Sequence, residues 1–159
     1  MRMIFFIASV MIASTWGSMA QSQNAPWGHA VSQIAGYVPQ KVVYDVTVST
    51  PAELDLILDR ISGLNIEYGT DPFDAAIVVV LHGPEMSFFD INKFDEHEDL
   101  MRRAQSLTVG GVIEMRMCQR AARNLGLQPA DIHGFIEMVP MGDAEIIRLQ
   151  QEEGYAYMK

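Results

Sequence analysis

The side chains of this sequence best placed to do chemistry gather around its one cysteine, Cys118. Arg116, Gln119, Arg120 and Arg123 stand within five residues of it, and Val112, Met115 and Met117 lead up to it. A cysteine reacts as its thiolate, and positive charge or unpaired backbone N–H groups beside it favour that form. The apolar residues ahead of Cys118 read as a strand. The Ala/Arg-rich run behind it reads as a helix that Gly126 ends from the C′ position. This places the sulfur at the carboxyl edge of a strand and the amino end of a helix, with the helix dipole aimed at it. Open parallel sheets bind their ligands along that edge. The pattern points to a nucleophilic thiol lined by Arg116, Gln119 and Arg120. The other use of such a residue is as an inert small hydrophobe in the core.

A second polar group reaches the same edge. The apolar run from Ala75 to Leu81 shows no alternation, as expected of a strand covered on both faces, and it ends at His82-Gly83-Pro84. His82 and Gly83 are therefore expected to line the same pocket, with His82 as a polar group or proton donor, or else as a histidine that only satisfies the turn. A soft metal such as Cu(I) is another use of Cys118, together with Met115, Met117, Met138 or Met141. Strand alternation sends Met115 and Met117 to the face opposite Cys118, so core filling accounts for them better. His97 sits among Asp95, Glu96, Glu98 and Asp99, but no second histidine follows at i+4. It and His29 read as solvated, and no metal or cofactor is expected.

The elements that must position these groups follow from local patterns. Lys41 to Val48 is rich in β-branched residues and reads as the first strand. Thr50-Pro51-Ala52-Glu53 is a capping box with proline at N1, and Leu54, Ile57, Leu58 and Ile61 then form a helical stripe. That helix is expected to run past Gly63 towards Tyr68. Glu85 to Phe94 reads as a loop whose Met86, Phe88 and Phe89 suit a lid or a subunit contact. Asp95 to Leu107 reads as a helix, Phe135 to Val139 as a strand, Asp143 to Glu153 as a helix and Tyr155 to Met158 as a last strand. The result is βαβαβαβαβ with connections long enough for parallel crossovers.

The first residues concern export. Met1-Arg2-Met3, an apolar run from Ile4 to Ala13 and Ser18-Met19-Ala20 make a secretory signal peptide over residues 1–20. The run is too short to span a bilayer, and no membrane anchor is expected. Residues 21–40 read as an arm or linker and residues 41–159 as one domain, in a periplasmic or secreted protein. The formal net charge of −9 becomes one unit more negative when Arg2 is removed, which argues against nucleic acid or anionic lipid as a partner. A lone cysteine forms no internal disulfide, so an exported chain must bury it, pair it between chains or use it.

From Lys41 to the end the sequence resembles the DsrE/DsrF-like family of sulfur-relay proteins. The carboxyl end carries the resemblance best: Val139-Pro140, then Glu145-Ile146-Ile147-Arg148-Leu149-Gln150, then Glu152-Glu153-Gly154-Tyr155-Ala156-Tyr157. Ile77 to Pro84 is similar to the family's second strand and its turn. Val112 to Leu127 falls where members carry a strand, a cysteine and a helix, although Cys118 is followed by Gln119-Arg120 where members commonly have Gly-Asn. The resemblance implies a three-layer α/β/α domain with a mainly parallel five-stranded sheet, with a flavodoxin-like strand order by analogy. It further implies a homo-oligomer, a trimer or hexamer, and a cysteine that carries persulfide sulfur between a donor and an acceptor protein. Thiol exchange of this kind needs no metal. The alternative is a non-catalytic oligomer that binds a ligand or partner and in which Cys118 is vestigial.

Overall fold

The computed structural model describes residues 27–159; the expected signal peptide lies outside them. Its strands form where β-branched and aromatic residues cluster: β1 (Lys41–Val46), β2 (Ala76–Leu81), β3 (Ile113–Cys118), β4 (Ile136–Val139) and β5 (Ala156–Met158). Between them run α1 (Pro51–Glu67), α2 (Glu98–Thr108), α3 (Gln119–Asn124) and α4 (Gly142–Glu152). The capping box at Thr50 forms as the sequence predicts, with the Thr50 side chain accepting from Glu53 N and Glu53 accepting from Thr50 N. Helix α1 crosses Gly63 without a break, and Gly69 follows it at φ +83°.

All pairings among the five strands are parallel, in the order β4-β3-β2-β1-β5. The domain is thus three-layered α/β/α, but its order departs from the flavodoxin-like 2-1-3-4-5. The hand of the crossover explains the layers. The chain steps from β1 to β4 in one direction, so right-handed connections place α1, α2 and α3 on one face. The return from β4 to β5 runs the opposite way, which puts α4 on the other face.

Strand alternation divides the core accordingly. Val42, Tyr44 and Val46, Ile77, Val79 and Leu81, and Ile113, Met115 and Met117 pack with Leu54, Leu58, Ile61 and Met101 in the larger cluster. On the α4 face the buried apolar residues are Val43, Val78, Val80, Ile146, Leu149 and Tyr155.

Two further expectations need correction. Glu85 to Phe94 does not present Met86, Phe88 and Phe89 outward as a lid or subunit contact would require. It forms two 3-10 turns, Pro84–Phe89 and Ile91–Glu96, and Met86, Phe88 and Phe89 fill the domain's own core. Helix α2 accordingly starts at Glu98, not Asp95, and His97 occupies the N-cap position without a side-chain capping bond, its ring packing edge-on against Phe88 at 5.1 Å between ring centroids. Residues 27–40 have no regular secondary structure, with Val31, Ile34, Tyr37 and Val38 exposed. Among the described residues, no helix is long and apolar enough to cross a membrane.

Candidate functional site

Strand β3 ends on Cys118, whose backbone is still extended (φ −69°, ψ 111°) while the next residue is helical. The residue is therefore the N-cap of α3, and Sγ accepts the N–H of Ala121 at 3.4 Å. Alternation points its side chain to the α4 face, away from Met115 and Met117, as the sequence predicts. The connections after β3 and β4 leave on opposite faces, so Cys118 stands at the topological switch point of the sheet, beside its register partner Val139. The thiol is enclosed there, with Cys118 only 5% exposed.

His82 is its neighbour. Leu81 pairs with Met117 in register, so the next residues on the two strands, His82 and Cys118, lie side by side on the α4 face. Gly142, the first residue of α4, closes over both. A Cβ at Gly142 would stand 3.0 Å from His82 Cβ, 3.3 Å from Cys118 Cβ and 3.3 Å from Val80 Cγ1. The absence of a side chain there is what lets the helix approach.

On its other side His82 meets an acid. Its Nε2 lies 2.5 Å from Asp45 Oδ1 on β1 and 3.4 Å from Thr47 Oγ1. Tyr157 on β5 donates its O–H to the second Asp45 oxygen at 2.5 Å. Burial works to raise the Asp45 carboxyl, but the bonds from His82 and Tyr157 outweigh it and hold the group below its ordinary value. The same bond to Asp45, with burial, raises the Tyr157 phenol. The other imidazole nitrogen, Nδ1, is 4.0 Å from Asp143 Oδ1 at the start of α4. An acceptor at Nε2 suits the tautomer with its proton there.

Gly83 belongs to this edge through its backbone. Glu85, fully buried, accepts from Gly83 N at 2.8 Å and from Val48 N at 3.1 Å, tying the turn after β2 to the end of β1. A Cβ at Gly83 would meet Glu85 Oε2 at 2.6 Å and Thr47 Cγ2 at 2.7 Å.

The positive lining expected around the thiol is not assembled. Arg116 shares the face of Cys118 but is held by Glu114 at 2.6 Å, by Glu137 at 3.2 Å and by Glu145. Arg120 and Arg123 are exposed on α3. Gln119 turns to β4, where its Nε2 donates to Met138 O at 3.1 Å. Among the described residues, no group of three His, Cys, Asp or Glu side chains could hold a metal ion. Asp45, Thr47, Gly142, Asp143 and Tyr157 complete the site, and all but Asp45 carry no signal of their own in the sequence. The one available signal was Asp45, a carboxylate inside the strand Lys41-Val42-Val43-Tyr44-Asp45-Val46.

The Arg116 cluster sets a pH dependence. Glu145 is held below its ordinary value, chiefly by its hydrogen bond from Arg148 and, against the pull of burial, by Arg116. A carboxyl depressed in the fold adds stability above its unfolded value of 4.5, and that stability is lost as pH falls through the folded value. Glu145→Gln is expected to cost about 2 kcal/mol at pH 7 and progressively less in acid, flattening the acid limb. Urea unfolding at neutral pH and at pH 3 checks this; a cost equal at both would exclude the linkage.

No family model matches this chain, and no curated protein matches it. Among solved structures, the chain is similar to MTH1491, a protein of unknown function from Methanobacterium thermoautotrophicum. The two share 18% sequence identity at a TM-score of 0.60, over 75% of this chain and 97% of that one. At that identity the likeness shows the fold alone.

Proposed function

We propose that this protein handles sulfur through Cys118, which accepts a sulfane sulfur as a persulfide and passes it to an acceptor thiol. The observation that carries the reading is the position of the cysteine: at the switch point of a parallel sheet, where such folds bind their ligands, with the His82 imidazole beside it. Resemblance to the DsrE/DsrF-like family supports the same chemistry. The partners are then a sulfur donor and an acceptor protein, met outside the cytoplasm if residues 1–20 direct export.

Without a free arginine against the thiol, the reactive form depends on a neighbouring base rather than on fixed positive charge. The low exposure of Cys118 favours a second reading, in which the cysteine is a buried cap and the domain binds a ligand or partner without chemistry. Intact-mass analysis of protein purified without reductant, after incubation with a persulfide donor, separates the two. An added mass of about 32 Da, one sulfur atom, removable by a thiol reductant, is the expected result. An unmodified mass together with a thiol that reacts only after denaturation would leave the second reading.

A further inference from the structure

We propose that Asp45, His82 and Cys118 form a proton relay that generates the Cys118 thiolate, with Tyr157 as the positioning residue that fixes Asp45. The relay rests on the sulfur-handling reading and names the groups that would activate the thiol.

Three strands contribute one member each. Asp45 lies in β1, His82 follows β2 and Cys118 ends β3, all on the α4 face. The His82 ring is anchored at one nitrogen, with Nε2 at 2.5 Å from Asp45 Oδ1. Asp45 is anchored in turn by the Tyr157 hydroxyl on its second oxygen. Nδ1 faces Asp143 Oδ1 only at 4.0 Å, on a residue whose Cβ and that of Cys118 both border Gly142. An acid holding the far nitrogen of an imidazole orients the ring and stabilises the imidazolium once it forms.

Other groups near the ring add negative or neutral character. Asp143 of α4 stands at 4.0 Å from Nδ1, Thr47 at 3.4 Å from Nε2, and buried Glu85 accepts from Gly83 next in the chain. Lys159 acts on Asp45 from the carboxyl end and favours its ionised form.

The exchange balances without an external oxidant or reductant. The Cys118 S–H proton passes to Nδ1 of neutral His82. The thiolate attacks the outer sulfur of a persulfide donor, R–S–SH, forming a new S–S bond as the donor's S–S bond breaks and RS⁻ leaves. The imidazolium returns its proton to RS⁻, so RSH departs and Cys118 holds –S–SH. The reverse sequence delivers the sulfur to an acceptor.

The test is alkylation of Cys118 by iodoacetamide in the full, native chain at pH 7 and pH 10, alongside the mass assay. Asp45→Asn is expected to slow the reaction about tenfold at pH 7, and Tyr157→Phe about threefold. Both should match the wild type at pH 10, where hydroxide forms the thiolate unaided. Equal rates in all three proteins at pH 7 would overturn the relay while leaving a working thiol. Slowing by one factor at both pH values would also overturn it, since that signals lost access. A wild-type thiol that alkylates at neither pH, and takes up no sulfur, would remove the sulfur-handling reading and the relay with it. Should Asp45→Asn fail to fold, Tyr157→Phe gives the decision alone, because its ring stays and only the hydroxyl is lost.

Discussion

Cys118→Ser is expected to abolish persulfide uptake completely while leaving the domain as stable as the wild type, or more stable by a few tenths of a kcal/mol. The reason is the second job of this residue. Cys118 is the N-cap of α3, and its sulfur accepts the Ala121 N–H at 3.4 Å. Serine is among the preferred N-cap residues and its oxygen is a better acceptor than sulfur, so the swap removes the nucleophile and keeps the cap. Cys118→Ala removes both and should cost about 1 kcal/mol. The pair separates chemistry from structure: sulfur uptake falls to nothing in both, and stability falls in alanine alone. Persulfide mass and urea unfolding, measured side by side, check it. Residual uptake in the serine variant would place the acceptor elsewhere.

Glu85→Leu should have the largest effect on stability, a loss of about 3 kcal/mol, out of a total of about 5–15 kcal/mol for a domain of this kind. The carboxylate is fully buried and accepts two backbone donors, Gly83 N and Val48 N. Leucine fills similar space but leaves both donors unpaired in the interior, at about 1–3 kcal/mol each. Glu85→Gln keeps an acceptor oxygen and should lose about 1 kcal/mol. Because Glu85 joins the turn after β2 to the end of β1, the leucine variant should also loosen His82 from Asp45. Thermal unfolding ranks the three proteins. A leucine variant no weaker than the glutamine variant would show that the two bonds contribute little.

Much of the fold is legible in the sequence because its signals are local. The Thr50–Glu53 capping box, the stripe of α1 and the unbroken apolar run of β2 each follow from residues a few positions apart. The stretch from Glu85 to Phe94 is misread for the same reason. A 3-10 turn has no apolar period of its own, so Met86, Phe88 and Phe89 look like exposed loop residues until the core that receives them is known. At the site, Cys118 and His82 are legible because each follows an apolar strand. Their partners are not. Asp45 and Tyr157 are 112 residues apart, and Gly142 matters only because a return crossover lays α4 on this face. Arg116 illustrates the limit from the other side, since three glutamates from β3, β4 and α4 occupy the charge that proximity in sequence seemed to offer Cys118.

Helix α4 rests on a small apolar cluster. It carries the α4 face alone, resting on Val43, Val78, Val80 and Tyr155 through Ile146 and Leu149, whereas α1, α2 and α3 share a far larger apolar cluster. Regions with few buried contacts exchange amide hydrogens through local opening long before the whole domain unfolds. An opening of α4 would carry Gly142 at its amino end with it and uncover Cys118 and His82 together. Access to the sulfur would then follow the opening of one helix. A thiol 5% exposed in the resting fold would then be shielded from soluble oxidants while the helix is closed, and open to a reactant only when the helix moves aside.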